Sequence, residues 1–118
     1  MTRIRPIVFL AAIFLVGSLA AGHPDSPRRI GIIAKKFTYE PEVITLKKGQ
    51  PVVLVMRSVD VTHGLKVDEL NITTRDIKKS RETDIQLTPQ QTGHFVGQCA
   101  NFCGTGHGEM KLQIDVVE

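Results

Sequence analysis

A chain of 118 residues, 42% of them apolar and none in low-complexity runs, has the size of one small globular domain with a short targeting segment. Its net charge is +3, but Arg3 and Arg5 supply two of those charges, so the rest of the chain is close to neutral. With no tryptophan and one tyrosine, Tyr39, it lacks the basic patch and stacking aromatics of a nucleic-acid binder, and no nucleic-acid partner is expected.

The N-terminus carries two arginines, an uninterrupted apolar run over residues 7–16, and then small residues around Ala20 and Ala21. A basic start, a short apolar core and a small-residue end predict a secretory signal over residues 1–21. If uncleaved, residues 7–21 would instead associate with a membrane as an anchor, although they fall short of the roughly 20 residues a spanning helix prefers. Either way the remainder is expected to be exported, in the periplasm or held on the outer face of the cytoplasmic membrane. Residues 22–29 read as a proline-punctuated linker, and residues 30–118 as the domain.

From Ile30 onward the pattern is short strands between turn signals. Ile30, Ile32 and Ala34 alternate with their neighbours, Val43 and Thr45 begin a second strand, and a turn centred on Gly49 leads into residues 52–56. That run is apolar throughout and reads as a strand buried on both faces. Residues 63–67, 83–87, 93–98 and 112–117 supply further strands, the last alternating Leu112, Ile114 and Val116. Residues 70–81 are charged, with Ile72 and Ile77 as their few apolar members, and read as a surface excursion. Seven or eight short strands with no helical period predict an all-β sandwich or barrel.

Residues 98–110 carry the chemistry. They contain both cysteines, Cys99 and Cys103, followed by His107 and Met110, with Gly104, Gly106 and Gly108 interleaved. In an exported domain two cysteines are by default a disulfide. A disulfide explains neither the histidine nor the methionine, whereas thiolate, thioether and imidazole together suit copper. Of the other histidines, His23 falls in the linker and His94 reads as an exposed or cross-strand residue. His63 ends the Ser58–His63 stretch after the buried strand, and from there it can face a loop of the other sheet.

Two motifs carry a resemblance: Ser58-x-Asp60-Val61-x-His63, and Gly97-Gln98-Cys99-x3-Cys103-Gly104-x2-His107-x2-Met110. Together with Phe37-x3-Pro41 and the Gly49 turn, they resemble the binuclear copper (CuA) domain of cytochrome c oxidase subunit II, which nitrous oxide reductase also carries. The resemblance implies a cupredoxin-like Greek-key β-sandwich behind an N-terminal signal or anchor. It implies two copper ions bridged by Cys99 and Cys103, with His63 and His107 as terminal imidazoles, Met110 as a weak thioether ligand and Asn101 giving its backbone carbonyl. It further implies electron transfer, with a c-type cytochrome as donor and a terminal oxidase or reductase as acceptor.

The chain departs from that family at Asn101, where many members have an acidic side chain, at Leu112, where many have Gly, and in lacking the tryptophan cluster that receives electrons from cytochrome c. With no pair of transmembrane helices and no Cys-x2-Cys-His haem motif, it is expected to be a free-standing or singly anchored relative. Competing readings are a periplasmic copper carrier or storage protein, a mononuclear blue-copper protein, a closed zinc site on Cys99, Cys103, His63 and His107, and a disulfide-stapled binding sandwich. No acid–base pair or nucleophile constellation stands outside the loop, so catalysis is expected of a partner complex and not of this chain alone.

Overall fold

The computed structural model describes Gly17 and residues 26–118. The leader read over residues 1–21 (Gly17 apart), His23 and most of the linker lie outside the described residues. Among the described residues no helix is long and apolar enough to cross a membrane.

Among the described residues nine strands form two sheets: β1 (Arg28–Lys35), β2 (Thr38–Glu40), β3 (Val43–Lys47), β4 (Val52–Ser58), β5 (His63–Val67), β6 (Ile72–Ile77), β7 (Thr83–Leu87), β8 (Gly93–Gln98) and β9 (Lys111–Val117). One sheet runs β2-β1-β4-β7 and the other β3-β9-β8-β5-β6. The pairs β1–β4 and β3–β9 are parallel, so the chain crosses between the sheets, and the remaining pairs are antiparallel. The architecture is the Greek-key sandwich expected. β1 starts at Arg28, two residues inside the stretch read as linker, because Arg28 and Arg29 already pair with Val52 and Val53.

The inward faces follow the period-2 pattern. Ile32 and Ala34 of β1, Leu54 and Met56 of β4, Leu65 of β5, and Leu112 and Ile114 of β9 are fully buried between the sheets. Burying each of these side chains larger than alanine contributes about 1.5–3 kcal/mol before its ordering entropy is counted. The expectation of a strand buried on both faces holds at Val52, Val53 and Leu54, and relaxes to half-buried at Val55.

The segment read as a surface excursion is instead strand β6, with Ile72 and Ile77 both buried. Five positions apart, they would point to opposite faces of a regular strand. Val67 lies opposite Ile72 and Leu65 opposite Thr74, but His63 lies opposite Ile77, so β6 gains one residue on β5. That bulge restores the parity and turns both isoleucines inward. An extra residue breaks the alternation that would reveal a strand, which is why the sequence reads as loop.

One pole of the sandwich gathers the ends that matter. There β4 runs out at Ser58 and β5 starts at His63, β6 ends at Ile77 before β7 starts at Thr83, and β8 hands over to β9. The Gly49 turn, with φ at 78°, lies at the opposite pole.

Candidate metal centre

The loop of residues 99–110 leaves β8 at Gln98 and re-enters β9 at Lys111, two residues directly opposite each other. The Cys99 N–H donates to the Met110 carbonyl at 3.2 Å and closes the neck. Inside, His107 N–H donates to the Gly104 carbonyl and Glu109 N–H to the Gly106 carbonyl, forming a single 3-10 turn, His107–Glu109. Two of the three glycines, Gly104 and Gly106, have a specific cause. The Phe37 ring lies so close that a Cβ on Gly106 would stand 2.4 Å from its Cδ2, and one on Gly104 3.0 Å from its Cζ, where φ is also 137°. Phe37 is thus the floor on which the loop backbone lies.

This winding brings the donors together. One ligand atom each from His63, Cys99 and Cys103 lies within 4.8 Å of the others, and all three residues are buried. The two Sγ atoms are 3.7 Å apart and not joined. Around them, the Asn101 carbonyl lies 3.1 Å from Cys99 Sγ, His107 Nδ1 3.7 Å from Cys103 Sγ, and Met110 Sδ 3.9 Å from Cys103 Sγ. Met110 is wholly buried, while His107 is half-buried beneath the exposed Phe102 ring, at 5.6 Å between centroids. All six residues singled out in the sequence therefore meet at one place. His94 does not: it is exposed and pairs across the strands with Asp115 at 2.7 Å, holding that carboxyl below its usual range.

A further ring of residues fixes the donors. Asp60 Oδ1 sits 2.6 Å from His63 Nε2, and its other oxygen accepts the Lys36 N–H at 2.8 Å. The buried Tyr39 hydroxyl donates to the Gly64 carbonyl, and Gly64 N–H points at Cys99 Sγ, 3.4 Å away. Asn101 Nδ2 donates to the Thr62 carbonyl at 3.3 Å, tying the cysteine loop to the histidine loop. Gly64 must be glycine, because a Cβ there would stand 2.5 Å from the Thr74 carbonyl oxygen and 2.9 Å from Asn101 N. Sequence reasoning quoted Asp60 and Phe37 inside motifs without giving either a task, and missed Tyr39 and Gly64. An Asp three residues before a candidate ligand histidine was the available signal for Asp60; nothing local pointed to Tyr39.

The donor set fits a soft metal ion. With Nε2 engaged by Asp60, His63 Nδ1 is left buried without a hydrogen-bond partner, an uncommon and costly state that a bound cation would relieve. Burial, and then the neighbouring Cys99, push the Cys103 thiol up to about 11, so that thiol stays protonated until positive charge enters the pocket. Burial likewise drives the Tyr39 hydroxyl far above its ordinary range, with the two cysteines adding to the effect, so it remains a neutral donor.

A two-sheet Greek-key sandwich with buried thiols, imidazole and thioether gathered at one pole defines a cupredoxin-type copper domain. The family model described as cytochrome C oxidase subunit II, periplasmic domain, matches residues 34–117. Among curated proteins, cytochrome c oxidase subunit 2 of Thermus thermophilus is 30% identical over 87 residues, covering 74% of this chain and 64% of that protein. The probable cytochrome c oxidase subunit 2 of Streptomyces avermitilis is 35% identical over 72 residues, 61% of this chain and 22% of that one. The chain thus spans less than two thirds of either relative. The crystal structure of the periplasmic domain of subunit II of cytochrome oxidase (CoxB) of Bradyrhizobium japonicum superposes with a TM-score of 0.71 at 19% identity, over 80% of this chain and 87% of that one, and shares the fold. The chain belongs to the cytochrome c oxidase subunit II periplasmic-domain family.

Proposed function

We propose that this chain is an exported electron-transfer domain that holds two copper ions in a CuA-type centre and serves a cytochrome c oxidase-type complex. The observation that supports this most directly is the burial of both thiols, 3.7 Å apart, with Asn101, His107 and Met110 around them and His63 arriving from a separate loop. A carrier that hands its metal on needs exposed ligands; here His63, Cys99, Cys103 and Met110 are buried. In this reading Cys99 and Cys103 would hold both ions, His63 and His107 would each hold one, Met110 would be the weak ligand and Asn101 would contribute its carbonyl. The bound pair of ions would supply a one-electron redox couple shared over two metals.

The chain's own residues account for the rest. Asp60 orients His63, Tyr39 and Gly64 hold the strand beneath Cys99, and the glycine-lined loop packed on Phe37 keeps the donors in one arrangement in both redox states. Such rigidity keeps reorganisation small, which is what fast electron transfer requires. An electron-transfer centre needs no open coordination position, so reduction of substrate would fall to the partner complex. Residues 1–21 would export the chain or anchor it to the membrane, with residues 22–29 as tether and 30–118 as the working domain. A c-type cytochrome would donate electrons and a terminal oxidase or reductase accept them.

Copper loading of the exported domain, followed by a metal count and an EPR spectrum, tests this reading. Two coppers per chain with one unpaired electron coupled to both nuclei is the expected result. A single copper, or a spectrum localised on one nucleus, would overturn it in favour of a mononuclear or carrier protein.

A further inference from the structure

We propose that the metal-bearing pole is a docking surface for a redox protein with an acidic face, its contact centred on Phe102 and steered by a basic rim on the β6–β7 turn. The inference deepens the electron-transfer reading and rests on it. Phe102, between Asn101 and Cys103, is 77% exposed, far beyond the other large apolar side chains, and its ring covers the His107 imidazole. Val59 and Val61, in the neighbouring histidine loop, are exposed as well. An exposed phenyl ring in contact with a candidate ligand, beside two exposed valines, marks a place where another surface comes down.

The charges around it decide which surface. His63 pairs with Ile77, the last residue of β6, so the turn that follows rises beside the histidine loop. That turn is Lys78-Lys79-Ser80-Arg81-Glu82, and Arg57 joins it by donating from Nε to the Lys79 carbonyl at 3.3 Å. Among the described residues Arg57, Lys79, Arg81 and the nearby Lys36 are exposed and form no ion pair, whereas Lys78 is matched by Asp76. The acids at this pole offset them only in part: Asp60, against His63, faces Lys36, and Glu42 and Glu109 lie by the ends of β3 and β9, so Glu82 is the one acid in the β6–β7 turn itself. The β6–β7 side of the metal pole therefore carries an excess of positive charge, Arg57, Lys79 and Arg81 against Glu82, beside an apolar centre, although the chain apart from its leader is nearly neutral. A partner with carboxylates around an apolar contact complements it, and a basic partner is repelled.

The test uses the copper-loaded chain and two small c-type cytochromes, one of net negative and one of net positive charge. Each is measured by calorimetric binding to the chain and by the second-order rate at which the reduced cytochrome passes one electron to the oxidised copper centre. With the acidic cytochrome, both affinity and rate should fall about tenfold or more as salt rises from about 20 mM to about 500 mM, and the basic cytochrome should be slower at low salt. The double substitution Lys79→Glu, Arg81→Glu should lower the acidic partner's affinity and rate about tenfold at low salt. The same charge change at the opposite pole, Lys47→Glu, Lys48→Glu, should alter them less than about twofold. Equal effects from the two double variants, a salt-independent rate, or preference for the basic cytochrome would overturn the docking surface while leaving the copper domain intact. Absence of a two-copper spectrum in the unsubstituted chain would overturn the electron-transfer reading and this surface with it.

Discussion

Asp60 and His63 act as one unit: the carboxylate oxygen lies 2.6 Å from the imidazole Nε2, and the same carboxylate is itself held by the N–H groups of Lys36 and Val61. The ring is thereby committed to presenting Nδ1 to the thiol pair. Removing the carboxylate in Asp60→Ala should leave a folded sandwich whose copper affinity is about 10–100-fold weaker, read by competition with a chelator. Unchanged affinity would mean that the strand ends alone orient His63.

The same carboxylate gives a pH signature. Burial works to raise its pKa, but the Lys36 N–H, His63 and the Val61 N–H outweigh that effect and bring it to about 2, below the ordinary 3.8. A depressed carboxylate adds stability that is complete above 3.8 and is lost as pH falls toward 2. The metal-free protein should therefore lose melting temperature across that window more steeply than Asp60→Asn does. Parallel melting curves for the two proteins would show that the contacts to Asp60 carry no net stability.

Gly64 lies against two backbone atoms that cannot move independently. A Cβ there, 2.5 Å from the Thr74 carbonyl oxygen, would push β5 from β6 or lift the cysteine loop at Asn101. Gly64→Ala should cost about 1–3 kcal/mol in denaturant unfolding and alter the copper spectrum in parallel. Lost stability with an unperturbed spectrum would place the strain in the β5–β6 pair alone.

Tyr39 presents a cleaner deletion, since Phe keeps the ring and removes only the hydroxyl that satisfies the buried Gly64 carbonyl. Tyr39→Phe should destabilise the protein by about 1–3 kcal/mol, the cost of stranding a buried acceptor. A stability within error of the unsubstituted chain would show that water replaces the hydroxyl.

The proposed ligand roles separate in two further substitutions. Met110→Leu should retain two coppers but shift the reduction potential and spectrum, because a weak thioether is replaced by an isosteric apolar group. Cys99→Ser should abolish the two-copper centre, and a metal count of two would count against a bridging role. Because the Cys103 thiol is pushed up to about 11, copper uptake should also release protons and weaken as pH falls.

The sandwich and the donor set were legible because their signals are local. Alternation at Leu112, Ile114 and Val116 and the apolar run at residues 52–56 each report burial directly, and Cys99, Cys103, His107 and Met110 share one short stretch. What escaped depends on partners distant in sequence. β6 was hidden because its bulge is defined only against β5, and Tyr39 because its acceptor is 25 residues away. Phe37 and the glycines could be seen separately, but not that one is the floor for the others.

The neck between Gln98 and Lys111 has a consequence for how such a site can change. Twelve residues pass through one rung of backbone, bringing two thiols, an imidazole, a thioether and a carbonyl, while His63 and its anchors stay behind in the scaffold. The loop is in effect a cassette. A segment of different length or donor set spliced at those two facing positions would meet a histidine already aimed at it, so metal number and chemistry could be rewritten without disturbing the strands that give the domain its stability.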